Sequence, residues 1–481
     1  MTTIKLDPGA ALLLDALHGA GHAAYAVGGC VRDSLLGLDP HDWDLCTSAR
    51  PEQVMALFGE EKCIPTGLQH GTVTVKQGGR LYETTTFRTE GGYSDGRHPD
   101  AVCFVPDVRE DLARRDFTIN AMAYSAEEGL IDPFGGRDDL AAHLVRAVGE
   151  PERRFEEDAL RILRLYRFAA RFGFAIDPAT GAAARALGPH LDCVSAERIQ
   201  EELLKLLAAP RPGSYLEPAV LAVVLPELEP EKQPERFAEL CRTIDRIEPT
   251  AENVPTRLAA LLCPLGEAGA RKALRKLKCS NALTDEVTAL VGGSVGSFLL
   301  GHEFELRHPA DALCLERHSH PAGRCPNSNS LFPPQAAVVA VAGHSIARPI
   351  ACGNRVPPQR TVLGETPGTP NTTLTVQAKR LLGRYELPTI QRLTALCSAR
   401  HPEQAGAFAA LRAEAEQLTA ENACCRVSQL AVNGRDLMAA GVRPGPGLRQ
   451  VLNALLEAVI TGQTPNEKDA LLAAAARFSA S

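Results

Sequence analysis

Residues 28–45 read GGCVRDSLLGLDPHDWDL, and the rest of the chain is best approached from this stretch. The apolar run before it, AYAV at 24–27, predicts a strand; Gly28-Gly29 predicts a tight turn, and Arg32-Asp33 the start of a helix. Asp42 and Asp44 follow, two apart among apolar residues. In an extended backbone, with its period of two, both carboxylates project to one face while Trp43 and Leu45 go to the other. Two convergent carboxylates make a hard-oxygen site suited to Mg²⁺, which keeps positions open for water and phosphate. The glycine turn and Arg32 suit phosphate oxygens, through backbone N–H groups and a charge-assisted contact. An ordinary strand–turn–helix corner with a solvated acidic pair would look the same locally, so the flanking sequence must decide.

Working outward, QHGTVTVKQGGRLYETTTFR at 69–88 predicts a hairpin turning at Gly78-Gly79, with Val73, Val75 and Leu81 alternating on either side. Residues 10–150 mix such short runs with turns and helical patches, which predicts an α/β head with a small mixed, mostly antiparallel sheet. From Glu150 to Leu300 dense Leu, Ala, Arg and Glu predict helices, so an all-α body follows the head. The stretch 301–372 holds ten of the 34 prolines and five of the 13 histidines, and reads as an irregular insertion without order. Its His302, His308, Cys314, His318, His320, Cys325, His344 and Cys352 lack the paired spacing of a zinc finger. Helical patterning then resumes to the end. The boundaries expected are 1–149 for the head, 150–215 for a helical neck, 216–300 for the body, 301–372 for the insertion and 373–481 for a C-terminal helical part.

Bulk properties narrow the class. At 481 residues several domains are expected, and 45% hydrophobic with 23% charged residues is a globular balance. The net charge of −7 offers no global attraction to nucleic acid, so any RNA surface must be local. Neither a signal peptide nor a membrane span is legible, which predicts a cytoplasmic protein without a membrane partner. The 14 cysteines are scattered, and free, mostly buried thiols are expected.

Further motifs sharpen the chemistry. In EEDALRILRLYRFAARFGF, 156–174, helical spacing puts Glu157, Arg161, Arg164, Arg167 and Arg171 on one side, with Asp158 beside them, and Ile162, Leu165, Tyr166 and Ala169 on the other. Four arginines outnumber two acids on that face, which predicts a neighbouring anion. LARRDFTINAMAY at 112–124 by itself is compatible with a surface salt-bridge set.

Taken together, GGCVRDSLLGLDPHDWDL resembles the signature of polymerase-β-like nucleotidyltransferases, in particular the bacterial class II branch of CCA-adding enzymes and poly(A) polymerases. The resemblance implies that Gly28, Gly29 and Arg32 bind the triphosphate, and that Asp42 and Asp44 are the metal carboxylates, with Glu83 on the second hairpin strand as a third catalytic carboxylate. It further implies that Arg115 meets the triphosphate and that Asp116 and Asn120 address the ribose. GLIDPFGGRDDL at 129–140 resembles the family's linking turn. Glu157, Asp158 and Arg161 match an element that reads the incoming base in place of a nucleic-acid template, Arg164 and Arg167 hold phosphates, and Glu197 and Arg198 brace the pocket. The implied function is template-independent addition of CCA to tRNA from CTP and ATP, with Mg²⁺. The implied body contacts the tRNA acceptor and TΨC arms by shape. A poly(A) polymerase and a CC-only or A-only enzyme carry the same motifs. A nonenzymatic RNA-binding protein on the same scaffold would tolerate a lost aspartate, yet both are present. RLAALLCPLG at 257–266 lacks the His-Asp phosphohydrolase signature common in relatives, so no second hydrolase activity is expected.

Overall fold

The computed structural model describes residues 3–91, 101–295 and 372–478. All but the last residue of the expected insertion, 301–372, lies outside them.

The head opens with helix α1, Pro8–Gly19, started by Asp7, whose carboxylate accepts from the N–H groups of Gly9 and Ala10, with Pro8 in the first turn. Strand β1, Ala24–Val27, is buried along its whole length and runs through the Gly28 turn into α2, Gly29–Leu35. Then come β2, Leu45–Thr47, α3, Pro51–Phe58, and strands β3, Cys63–Gly67, β4, Thr72–Gln77, and β5, Arg80–Thr86. A separate ribbon pairs β6, Arg88–Gly91, with β7, Ala101–Phe104. Helix α4, Val108–Ala113, leads to β8, Ala123–Ser125, β9, Gly129–Ile131, and α5, Gly136–Ala141. The seven-stranded sheet has the order β3-β4-β5-β2-β1-β8-β9. Its pairs are antiparallel except β2 with β5, which run parallel, so the sheet is mixed and mostly antiparallel as expected. Tyr25, Val27, Cys46, Phe87, Leu112 and Ala123 share one apolar cluster of the head.

The β4–β5 hairpin turns at Gly78 and Gly79, both left-handed at φ 58° and 80°, which glycine adopts without steric cost. Leu81 departs from expectation: it is 60% exposed. The two-residue turn pairs Gln77 with Arg80 and therefore Val75 with Tyr82, and antiparallel partners share a face. Tyr82 takes the inner place beside buried Val75, and Leu81 faces out with Lys76.

The neck also differs from a single helix over 156–174. Helix α6, Pro151–Glu157, ends at Asp158, whose backbone is extended, and α7, Leu160–Phe172, starts afresh. The Asp158 carboxylate accepts from the Leu160 N–H, the local side-chain bond by which aspartate competes with helix continuation. The expected apolar side is correct: Ile162, Leu165, Tyr166 and Ala169 are buried. Helices α8, Pro178–Ala186, and α9, Ala196–Leu207, complete the neck, and helices continue from Pro218–Val224 to Lys468–Phe478. Residues near the C-terminus, including Leu437, Leu455 and Leu471, form their own apolar cluster. Asn433 shapes a turn there: its carboxamide accepts from the N–H groups of Arg435 and Asp436, while Asp436 accepts from the Asn433 N–H.

The described cysteines are free thiols, among them Cys30, Cys46, Cys63, Cys263, Cys397 and Cys425 in the interior. Burial pushes the Cys30 thiol up to about 12, so it stays protonated. No helix among the described residues is long and apolar enough to cross a membrane.

Candidate active site

Asp42 and Asp44 lie in the extended run that enters β2, and the predicted alternation holds: both are exposed, while Trp43 and Leu45 are buried. Glu83 sits on β5, exposed between buried Tyr82 and Thr84. Because β2 and β5 run parallel with Leu45 opposite Thr84, the register brings Glu83 level with Asp44. The surrounding protein, then Glu83, and last Asp42 push the Asp44 carboxyl up to about 6 against the pull of Arg115. A carboxylate that water still reaches and like charges crowd is a ready cation ligand. Among the described residues no three Asp, Glu, His or Cys side chains are gathered into an ion cage. An open set of acidic oxygens fits Mg²⁺ better than a closed cage does, since that ion takes one or two carboxylates and fills the rest with water and phosphate.

The glycine turn borders this set. Gly28 has φ 76°, and a Cβ there would meet the Arg115 guanidinium at 2.8 Å; one on Gly29 would lie 3.6 Å from Arg32. Arg115 pairs with Asp111 at 3.5 Å, but its Nε is buried with no hydrogen-bond partner. An orphaned buried donor beside a turn without side chains is a cradle for an anion.

Behind the turn a chain of buried polar groups runs from the head into the neck. Arg32, 3% exposed, donates through Nε to Asp33 at 2.8 Å and through a terminal nitrogen to the side-chain Oδ1 of Asn120. Asn120 in turn donates to Asp116 Oδ1 at 2.9 Å, which also accepts from the Phe117 N–H at 2.8 Å. Asp116 Oδ2 accepts both Arg164 Nε and a terminal Arg164 nitrogen, at 2.9 and 2.6 Å. Burial pushes the Asp116 carboxyl up, yet Arg164 and the Asn120 hydrogen bond outweigh it and hold the group well below the usual carboxylate range. Arg164 and Arg167 then reach Glu202 on α9, at 3.9 and 2.6 Å.

This network revises the reading of the arginine-rich face. Arg161 pairs with Glu157 at 2.8 Å, Arg164 with Asp116, Arg167 with Glu202, and Arg171 with Asp33 at 3.1 Å. The excess positive charge that the helix shows in isolation is compensated by acids from α2, α9 and the 112–124 motif, so no bound anion is needed to explain it. Helical spacing within one segment could not register partners that the fold supplies from elsewhere.

At the break between α6 and α7, Glu157, Asp158 and Arg161 lie together. Arg161 donates to Glu157 Oε2, to the Arg154 carbonyl at 3.1 Å and to the Arg114 carbonyl at 3.0 Å. Asp158 is held not by Arg161 but by Arg198 of α9, at 2.8 Å. Of the two residues singled out on α9, Arg198 reaches Asp158 whereas Glu197 is exposed. Sequence reasoning missed Asp33 and Glu202. Glu202 lies four residues past Arg198, on the same side of α9, and that spacing was the available signal. The linking turn is structural: Asp132 accepts from the Gly136 and Arg137 N–H groups at 2.7 and 2.9 Å, and a Cβ on Gly136 would strike the Thr118 carbonyl oxygen at 2.2 Å.

Comparison with known proteins gives concordant results. A family profile described as "Poly A polymerase head domain" matches residues 24–146, one described as "Probable RNA and SrmB- binding site of polymerase A" matches 173–231, and one described as "tRNA nucleotidyltransferase domain 2 putative" matches 385–475. A CCA-adding enzyme of Lactiplantibacillus plantarum is 33% identical over 463 residues, 96% of this chain and 93% of that protein. One of Geobacillus stearothermophilus is 42% identical over 282 residues, 58% of this chain and 68% of that protein. The crystal structure of the Bacillus stearothermophilus CCA-adding enzyme in complex with CTP superposes with a TM-score of 0.69 at 29% identity, covering 98% of both chains.

Proposed function

The chain belongs to the CCA-adding enzymes, a family of tRNA nucleotidyltransferases, and on that basis we propose that it adds CCA to the tRNA 3′ end from CTP and ATP without a nucleic-acid template, releasing pyrophosphate. The observation that carries this reading is the register that brings Glu83 level with Asp44, two residues from Asp42, beside the Gly28 turn and the orphaned Arg115 donor.

In this reading Asp42 and Asp44 hold two Mg²⁺ ions, with Glu83 adding a third acidic side chain. Such ions, if bound there, would supply the Lewis-acid chemistry that activates a 3′ hydroxyl and offsets charge on the α-phosphate and the leaving pyrophosphate. Gly28 and Gly29 leave room for the triphosphate, and Arg115 supplies a hydrogen-bond donor that no protein group uses. Arg32, Arg164 and Arg167, each paired with an acid, stand behind it and face the phosphates, while Asp116 and Asn120 form the wall that meets the ribose.

Base selection falls to Asp158 and Arg161, held by Arg198 and Glu157. A carboxylate acceptor and a guanidinium donor complement the amino group and the ring acceptors of cytosine, and a small reorientation suits adenine. A base of another pattern leaves a buried group unpaired, at a cost of about 1–3 kcal/mol.

The test is product length on tRNA lacking its 3′ end, with CTP alone, ATP alone and both, in wild type and in Asp42→Ala/Asp44→Ala. Growth that stops after CCA in wild type, with no transfer by the double variant, is expected. Long A tails would instead make the chain a poly(A) polymerase, and appreciable C and A addition by the double variant would refute the assigned site.

A further inference from the structure

Several guanidinium groups converge on the ring of one phenylalanine. Phe168 on α7 is 4% exposed, and the guanidinium carbons of Arg167, Arg32 and Arg164 lie 4.1, 5.1 and 5.4 Å from its ring centroid. Arg32 comes from the head, the other two from the neck. The parallel ring of Phe172, 6.2 Å away, carries Arg32 as well, at 4.8 Å. Cations within about 6 Å of an aromatic face are drawn to its negative potential, the more strongly when water is excluded.

A ring that only filled core would be enclosed by apolar groups; this one has charged partners. Hydrogen bonds to Asp33, Asn120 and Asp116, with ion pairs to Glu202, restrain the edges of these guanidinium groups but leave their faces unfixed. The aromatic surface supplies that restraint, and it does so across the seam between head and neck.

We propose that Phe168 is a positioning residue for the incoming nucleotide, its π face seating Arg32, Arg164 and Arg167 so that the polar chain through Asn120 and Asp116 keeps one geometry. The inference rests on the nucleotidyl-transfer reading above. Phe168 touches no reacting atom; it acts through the arginines. The spacing marks the same role, since Phe168 stands four residues after Arg164 and three before Arg171, on the arginine side of the helix.

The test replaces Phe168 in the full-length chain with mono-, di- and trifluorophenylalanine, which drain the ring's negative face while nearly preserving its shape. KM for CTP and ATP on truncated tRNA is measured alongside KM for the tRNA and the melting temperature. The nucleotide KM is expected to climb with each fluorine, reaching about 3- to 30-fold, the range such contacts span, with tRNA KM and melting temperature unchanged. Phe168→Tyr should restore wild-type values where Phe168→Leu does not. A flat fluorine series in an active enzyme, or a rise that tracks a falling melting temperature, overturns the inference and leaves the activity standing. A wild-type chain that incorporates neither nucleotide overturns both.

Discussion

Replacing Asp116 by Asn is the sharpest perturbation of the head–neck network. The native carboxylate accepts from Asn120 and the Phe117 N–H on one oxygen and takes both Arg164 nitrogens on the other. An Asn keeps one acceptor but turns an NH₂ toward donors already in place, wherever the amide is flipped. Removing one partner of a buried ion pair costs about 3–5 kcal/mol. Arg164 keeps a 33% exposed side chain and a second carboxylate at 3.9 Å, so part of its charge is rehydrated or re-paired. The expected loss is therefore about 2–3 kcal/mol, a fall of roughly 5–10 °C in the melting temperature of the unit that contains it. Because the Asp116 carboxyl lies below its unfolded value of 3.8, its contribution is complete above that value and is lost as pH falls toward the folded one. The gap between wild type and variant in urea unfolding should stay constant from about pH 8 to pH 5 and narrow below about pH 4. Adding Arg164→Gln should recover part of the loss, with a coupling of about 1–3 kcal/mol between the sites. A wild-type melting temperature in Asp116→Asn, a gap that closes near neutral pH, or losses that simply add would refute the argument.

Four further outcomes are expected. Gly28→Ala must force a side chain into φ 76° and against Arg115, and nucleotide KM should rise about tenfold with a stability loss of about 1–3 kcal/mol by thermal melting. With Asp44 at about 6, protons compete with Mg²⁺ below that pH, so the Mg²⁺ concentration for half-maximal transfer should climb as pH falls from 7 to 5; a pH-independent requirement would count against Asp44 as ligand. Leu81→Thr, on the outward face of the hairpin, should change stability by less than about 0.5 kcal/mol in denaturant titration. Arg257 is fully buried and donates to the carbonyls of Ile247, Leu207 and Ala209, so Arg257→Met should cost about 3 kcal/mol or more by the same measurement, through acceptors left unpaired.

Local pattern made much of the head legible. The alternation around Trp43 and Leu45, the glycine pair of the hairpin and the Gly28 turn each follow from backbone sterics within a few residues, and each holds in the fold. Leu81 misled because hydrophobicity alone does not set register; the two-residue turn does. The break at Asp158 was hidden by strong helical periodicity on both sides of it, although an aspartate able to bond its own backbone was the clue. Least legible were the acids that neutralise the arginine face. Asp33, Asp116 and Glu202 come from three separate segments, and no spacing rule within 156–174 could reach them.

The strand order of the sheet has a bearing on how this site comes into being. The hairpin β4–β5 closes across two residues, but Leu45 must find Thr84, and Ala26 must find Tyr124, almost a hundred residues on. Loop-closure entropy makes such distant pairings slow relative to local ones. Loop-closure entropy therefore predicts that Glu83 is on a formed ribbon before Asp44 docks beside it, so that the acidic pair meets at a later step of the head's folding. A chain shortened before Tyr124 would hold all three carboxylates and the β2–β5 register, yet lack the strand that pairs with β1 on its other edge.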